Sequence, residues 1–248
     1  MARYSPLRFR VFDACRLRYR YQYVDRIPAR LRPQDTAGSL VHRVLCDFFS
    51  KVAPEERSEE RLVRMFEEGW EALSPRYRRM EGVDRFRTDS VEQLKTFATH
   101  YDISAAPLMV EPYFQVEVAA GVTLFGRVDR IDEESDGSLH VIDYKTGSHP
   151  DEVDVGQLRL YAIMAEESLR RSVSRISFWY LDDGLIWTAG LIDEDKRRTR
   201  SDLLTAVERV NTVSEFPANI GQHCGHCPYL HACAERTEIQ RRREAEGW

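Results

Sequence analysis

The sequence predicts a mixed α/β fold in which a helical first half leads into a sheet, with further helices beyond it. Three observations predict it. Apolar residues recur at helical spacing through the first half, the period changes to alternation at Glu111, and helical spacing returns at Val155. At 248 residues, 42% hydrophobic and 31% charged, the chain is able to bury a sizeable core. One domain over 1–248 is the natural reading: a mainly helical part at 1–110, a sheet and helix core at 111–213, and a cysteine-bearing tail at 214–248.

Each element has its own signal. Ser5-Pro6 opens a first helix, the serine as cap and the proline in the first turn, and Pro28 and Pro33 end that region. Leu40, Val41, Val44, Leu45, Phe48 and Phe49 stand at helical spacing in a second helix from about Gly38 to Val52. Charged, periodic stretches at Ser58 to Leu73 and Ser90 to Ile103 predict two more. Alternation then marks strands at Tyr113 to Val118, Val122 to Ile131 and Leu139 to Lys145. The joins Ala119-Ala120-Gly121 and Ser135-Asp136-Gly137 are turn-forming, so an antiparallel meander is expected. A helix at Val155 to Arg171, a hairpin around Asp182-Asp183-Gly184 and a charged helix from about Glu194 to Val213 complete the order.

Composition excludes some functions. A net charge of -5 argues against a protein that coats nucleic acid through a broad positive surface. It leaves room for a site that concentrates carboxylates around a divalent metal, with DNA held by local basic patches. The first 32 residues carry one such patch, Arg3, Arg8, Arg10, Arg16, Arg18, Arg20, Arg26, Arg30 and Arg32, against Asp13 and Asp25. The interleaved Tyr4, Phe9, Phe12, Tyr19, Tyr21 and Tyr23 either stack on bases or form the core face of an amphipathic helix. No run approaches the roughly 18 apolar residues of a membrane span, and Met1 to Arg10 lacks a secretory apolar stretch. A cytoplasmic protein with no membrane partner is therefore expected.

The chemistry concentrates in Val141-Ile142-Asp143-Tyr144-Lys145-Thr146-Gly147. On a strand, residues two apart share a face, so Asp143 and Lys145 point together and Ile142 and Tyr144 point the other way. Asp129, in Gly126-Arg127-Val128-Asp129, lies on the preceding strand, and the Asp136-Gly137 turn brings it toward Asp143. Two converging carboxylates suit Mg2+ or Mn2+, and a lysine beside them suits hydrolysis of a phosphodiester. A cross-strand salt bridge on a solvated sheet face is the bland reading of the same residues. His42 and Tyr161 likewise read alone as core side chains.

Taken together, Gly126-Arg127-Val128-Asp129, Asp143-Tyr144-Lys145-Thr146-Gly147, Gln157-Leu158-Arg159-Leu160-Tyr161 and Gly38-Ser39-Leu40-Val41-His42 resemble the RecB-type branch of the PD-(D/E)XK nucleases, over about residues 5 to 235. The resemblance implies a restriction-endonuclease-like core, a central mixed sheet flanked by helices. It implies metal ligation by His42, Asp129, Asp143 and the backbone carbonyl of Tyr144, with Lys145 as the catalytic lysine. Gln157 and Tyr161, four apart on a helix and so on one face, would look toward the site and the DNA. The second acid is Asp143 where many members of the wider superfamily have glutamate.

Cys224, Cys227 and Cys233 supply three thiolates near the end of the chain, one short of a tetrahedral or cubane site. Zinc, with His223, His226 or His231 as a fourth ligand, is open on ligand chemistry alone. The sequence also resembles AddB-type and CRISPR-associated adaptation nucleases, which pair one early cysteine with three late ones. That resemblance implies Cys15 as the fourth ligand of a 4Fe-4S cluster clasping the first helix to the tail. Cys46 is left as a small buried residue.

The expected function is a metal-dependent DNA nuclease, an exonuclease on single strands or duplex ends, in repair, recombination or CRISPR adaptation. A separate helicase or a CRISPR integrase is the partner such a resemblance allows. The alternative is a DNA-binding module of the same fold serving as a non-catalytic subunit.

Overall fold

The computed structural model describes residues 2–247. They group into two compact units, one made of Pro33–Arg200 with Ala2 and Arg3, the other of Tyr4–Arg32 with the residues from Ser201 to Gly247. In chain order the elements are β1 (Ala2–Tyr4), α1 (Pro6–Ala14), α2 (Arg16–Tyr19), α3 (Pro33–Lys51), α4 (Glu59–Glu71), α5 (Pro75–Arg78), α6 (Val83–His100), β2 (Met109–Val110), β3 (Tyr113–Ala119), β4 (Val122–Arg127), β5 (Arg130–Glu133), β6 (Leu139–Lys145), α7 (Gly156–Leu169), β7 (Val173–Tyr180), β8 (Ile186–Gly190), α8 (Asp193–Thr212) and α9 (Arg236–Glu246). No described helix is long and apolar enough to cross a membrane.

In the first unit, α3 starts earlier than its apolar spacing predicts. Pro33, expected to end the preceding region, instead opens the helix, where its missing N–H leaves no bond unmade. The stripe Leu40, Val41, Val44, Leu45, Phe48 and Phe49 is buried. It packs with Phe66 and Trp70 of α4, Leu94 and Phe97 of α6, and Ile142, Tyr144 and Trp179 from the sheet. Ser58 caps α4, its Oγ accepting from Arg61 N at 3.1 Å, with Glu59 and Glu60 in the first turn.

Two sheets lie in this unit. One has the order β1-β4-β3, the other β2-β5-β6-β7-β8. The predicted continuous strand Val122 to Ile131 is corrected: the chain leaves the first sheet after Arg127 and enters the second at Arg130. At the break the backbone bonds elsewhere, Val128 N to Pro112 O at 3.1 Å and Glu111 N to Asp129 O at 2.8 Å. The sequence carries a trace of it, because Leu124 and Val128 share a parity that Ile131 breaks. The expected meander is thus two separate hairpins, β3–β4 and β5–β6.

β6 pairs antiparallel with β5 and parallel with β7, making the sheet mixed. A parallel pair needs a crossover, and α7 supplies it, burying Leu158, Ala162, Ile163, Met164 and Ala165. This return places the first turn of α7 beside the C-terminal end of β6, where α/β sheets present their ligand sites.

In the second unit, Ser5 Oγ accepts from Arg8 N at 3.2 Å and caps α1. Cys15 interrupts the helix in an extended conformation, φ −163°, and α2 runs on into a π-helical turn at Arg20–Val24. The chain beyond α8 binds back to this hairpin through Leu17 N to Pro217 O at 3.3 Å and Asn219 Nδ2 to Ala14 O at 3.0 Å. Tyr4, Phe9, Phe12 and Tyr19 are all buried. For these four the core reading holds and base stacking is ruled out. Arg8 adds its guanidinium over the rings of Tyr4, Tyr19 and Tyr23 at 5.0–5.5 Å.

Candidate active site

β6 divides its residues by parity. Ile142 and Tyr144 turn into the helical core, while Asp143 and Lys145 face the start of α7. Lys145 Nζ lies 2.6 Å from Asp143 Oδ2. Gln157, in the first turn of α7, bridges the pair: its Oε1 accepts from Lys145 Nζ at 3.3 Å and its Nε2 donates to Asp143 Oδ1 at 3.3 Å. One turn further on, Tyr161 Oη accepts from the same Nε2 at 2.9 Å. Beneath the ammonium, the ring of Phe178 on β7 has its centroid 4.6 Å away. The lysine is therefore held from three sides.

Asp129 stands at the break between the sheets. Its Oδ2 accepts from the main-chain N–H of Tyr144 at 2.8 Å, and its Oδ1 lies 3.2 Å from His42 Nδ1 on α3. Burial alone lowers the imidazole's basicity, but the charge and hydrogen bond of Asp129, with help from Asp143 and Glu111, leave the pKa of His42 raised. Asp143 is 4% exposed. Its burial and the nearby Asp129 charge raise its pKa, against the opposing pull of Lys145 and His42. Thus His42 and Asp129 form one pair, Asp143, Lys145, Gln157 and Tyr161 form one network, and the main chain of Tyr144 joins the two.

Among the described residues no group of three or more His, Cys, Asp or Glu side chains is arranged to hold a metal ion outright. The donor set nonetheless suits a divalent cation. Two carboxylates and an imidazole are hard to intermediate ligands. Asp143 Oδ2 is buried with an ion pair but no aligned hydrogen-bond donor.

Three features of the site were not legible as functional residues. Phe178 lies under the lysine. Glu111, at φ 45°, binds Asp129 through its N–H. Gly38 has no side chain because a Cβ there would lie 2.9 Å from Thr146 Oγ1. Of these only Gly38 left a signal, as the first residue of the Gly38-to-His42 motif.

In the second unit, Cys15, Cys224, Cys227 and Cys233 border one small cavity together with Arg18 and His223. All four thiols are free. Burial raises the pKa of Cys227 and of Cys233, and the other thiols of the cavity add to it.

A family model described as the PD-(D/E)XK nuclease superfamily matches residues 3–234. No curated protein matches the chain. Among solved structures, the chain is similar to a "Putative exonuclease" from Eubacterium rectale at 11% identity and a TM-score of 0.53, covering 90% of this chain and 86% of that one. It is also similar to a structure named SSO0001 at 12% identity and a TM-score of 0.41, covering 80% of this chain and 96% of that one.

Proposed function

We propose that this chain, which belongs to the PD-(D/E)XK nuclease superfamily, is a Mg2+- or Mn2+-dependent deoxyribonuclease acting as an exonuclease on single strands or duplex ends. The observation that carries this reading is the junction at β6, where a buried aspartate, a lysine and a bridging glutamine adjoin a second aspartate paired with a histidine. Asp129, Asp143, His42 and the Tyr144 carbonyl are the proposed ligands. When bound, the cation supplies positive charge to the attacked phosphate and acidity to the attacking water.

The chain's own residues do the rest. Lys145 donates to a phosphate oxygen and orients the water, neutralising charge as it develops. Gln157 holds Lys145 and Asp143 in mutual register, and Tyr161 fixes the glutamine amide. Tyr144 positions Asp129 with its main-chain N–H and leaves its ring in the core. For the second unit the proposal is a 4Fe-4S clasp on Cys15, Cys224, Cys227 and Cys233, with zinc as the alternative occupant; the four line one cavity, while among the described residues no three of them stand as a metal-ligand cluster.

The test is direct. The purified protein is incubated with labelled single- and double-stranded DNA in Mg2+ or Mn2+, then in EDTA. Metal-dependent degradation lost in Asp143→Ala and Lys145→Ala supports the reading. Tight binding without products in any metal overturns it in favour of a non-catalytic DNA-binding module. For the clasp, stoichiometric zinc without iron in an anaerobic preparation overturns the iron-sulfur assignment.

A further inference from the structure

We infer that Glu111 is a positioning residue of the proposed cation site: its main chain carries Asp129, and its carboxylate supplies charge that draws the cation without ligating it. The inference rests on the nuclease reading above and adds a residue to that site.

The backbone comes first. β2 and β5 pair through Met109 with Ile131 and Val110 with Arg130, so the next position sets Glu111 across from Asp129. There the ladder ends in a clamp. Glu111 N donates to Asp129 O at 2.8 Å, and Val128 N donates to Pro112 O at 3.1 Å. These two bonds hold the chain where it changes sheets. Asp129 is thereby fixed through its own main chain as well as by the N–H of Tyr144 on its carboxylate.

Glu111 makes this clamp in a conformation that does not suit it. Its φ of 45° lies in the left-handed region, which crowds a Cβ and is routine for glycine. It also precedes Pro112, and a residue before proline is pressed toward extended backbone. Glycine would make the same main-chain bonds without the strain, so the presence of glutamate is accounted for by its side chain. Strained residues of this kind gather at functional sites.

Packing gives that side chain little to do. Arg127 Nη1 donates to the Glu111 carbonyl at 3.1 Å and lies 3.6 Å from its Oε2. The guanidinium is committed to the main chain and its side chain is exposed, so the ion pair is loose and adds little stability. The negative charge acts instead on α3, on His42 and on Cys46 one turn later. Asp129, Asp143 and Glu111 thus all act on the proposed imidazole ligand. A partly buried carboxylate attracts a divalent ion at this range, because its surroundings screen less than water does.

The experiment measures Mn2+ binding to the full chain without DNA, from the electron paramagnetic resonance signal of the free ion. A thermal melt in EDTA and a cleavage assay on single strands run beside it. Glu111→Gly, which relaxes the backbone and removes the carboxylate, is expected to melt no lower than the unaltered protein and to bind Mn2+ about five- to tenfold more weakly. Glu111→Gln, which keeps the shape and loses the charge, is expected to weaken binding as much. Glu111→Asp is expected to return it to within about twofold, since aspartate keeps the charge and tolerates the left-handed region. Loss of the bound ion in Asp143→Ala identifies the site being counted. A purely structural glutamate would leave the affinity of the stable glycine variant unchanged. Four results overturn the inference: no Mn2+ on the unaltered protein, affinity within about twofold in both folded Glu111→Gly and Glu111→Gln, Glu111→Asp binding no better than Glu111→Gln, or a lower melting temperature for Glu111→Gly. Mn2+ binding that follows the expected pattern without any cleavage sinks the nuclease reading alone.

Discussion

The main-chain N–H of Tyr144 donates to Asp129 Oδ2 at 2.8 Å. The residue between Asp143 and Lys145 thus orients the other carboxylate with its backbone, while its phenol lies buried beside the Arg130 guanidinium. Tyr144→Phe should therefore leave cleavage within about threefold and stability within about 1 kcal/mol, the net worth of a typical hydrogen bond. Steady-state cleavage and a thermal melt check both. A loss of activity beyond tenfold would mean that the ring acts in the chemistry.

Gln157 joins Lys145 to Asp143 through the two ends of one amide. Gln157→Leu should reduce kcat by about 10- to 100-fold, the scale of one positioned polar group. Tyr161→Phe removes the acceptor for that amide and should cost less. Single-turnover rates on the two variants give the comparison, and equal losses would mean that Tyr161 contacts the DNA itself.

Arg130, on β5, is 2% exposed, pairs with Asp132 at 2.7 Å and lies between the rings of Phe49 and Trp179 at 4.8 and 5.0 Å. Arg130→Ala should destabilise the chain by about 1.5–3 kcal/mol, the scale of a lost hydrogen bond between charged groups, because Asp132 stays partly exposed to water. Denaturant melts measure this. A smaller loss in Arg130→Met than in Arg130→Ala is expected, since the methionine retains the packing.

His140 on β6 is mostly buried and shares a hydrogen bond with Ser177 Oγ at 2.7 Å. Burial lowers its pKa to about 4, despite the pull of Asp132, with Arg175 and Arg130 lowering it further. Because the folded pKa is depressed, the unfolded chain takes up the proton first. Stability should be full above the unfolded value near 6.5 and fall as pH drops toward about 4, by at most about 3 kcal/mol. Melts across that window, with His140→Gln losing most of the slope, provide the check. An unchanged slope in the variant would assign the acid sensitivity to other groups.

Much of this site was legible because it lies on regular elements. Alternation placed Asp143 and Lys145 on one face of β6, and the four-residue spacing placed Gln157 and Tyr161 on one face of α7. The break at Val128-Asp129 was not, since a strand that changes sheets keeps an alternating pattern except for one slip of parity. The early start of α3 was hidden because Pro33 reads as a terminator as readily as a first turn.

The passage of the chain from one sheet to the other at Val128-Asp129 separates two errors that an unbroken strand would link. A one-residue slip within a ladder turns every later side chain to the opposite face. Here a slip between β3 and β4 ends before the carboxylate, and the register already shifts once between Glu117 and Ala119. A change of loop length at Ala120-Gly121 is accordingly expected to leave the acid in place, its cost falling on the bond from Ala2 N to Gly121 O, which gives this fold a tolerant edge beside an intolerant centre.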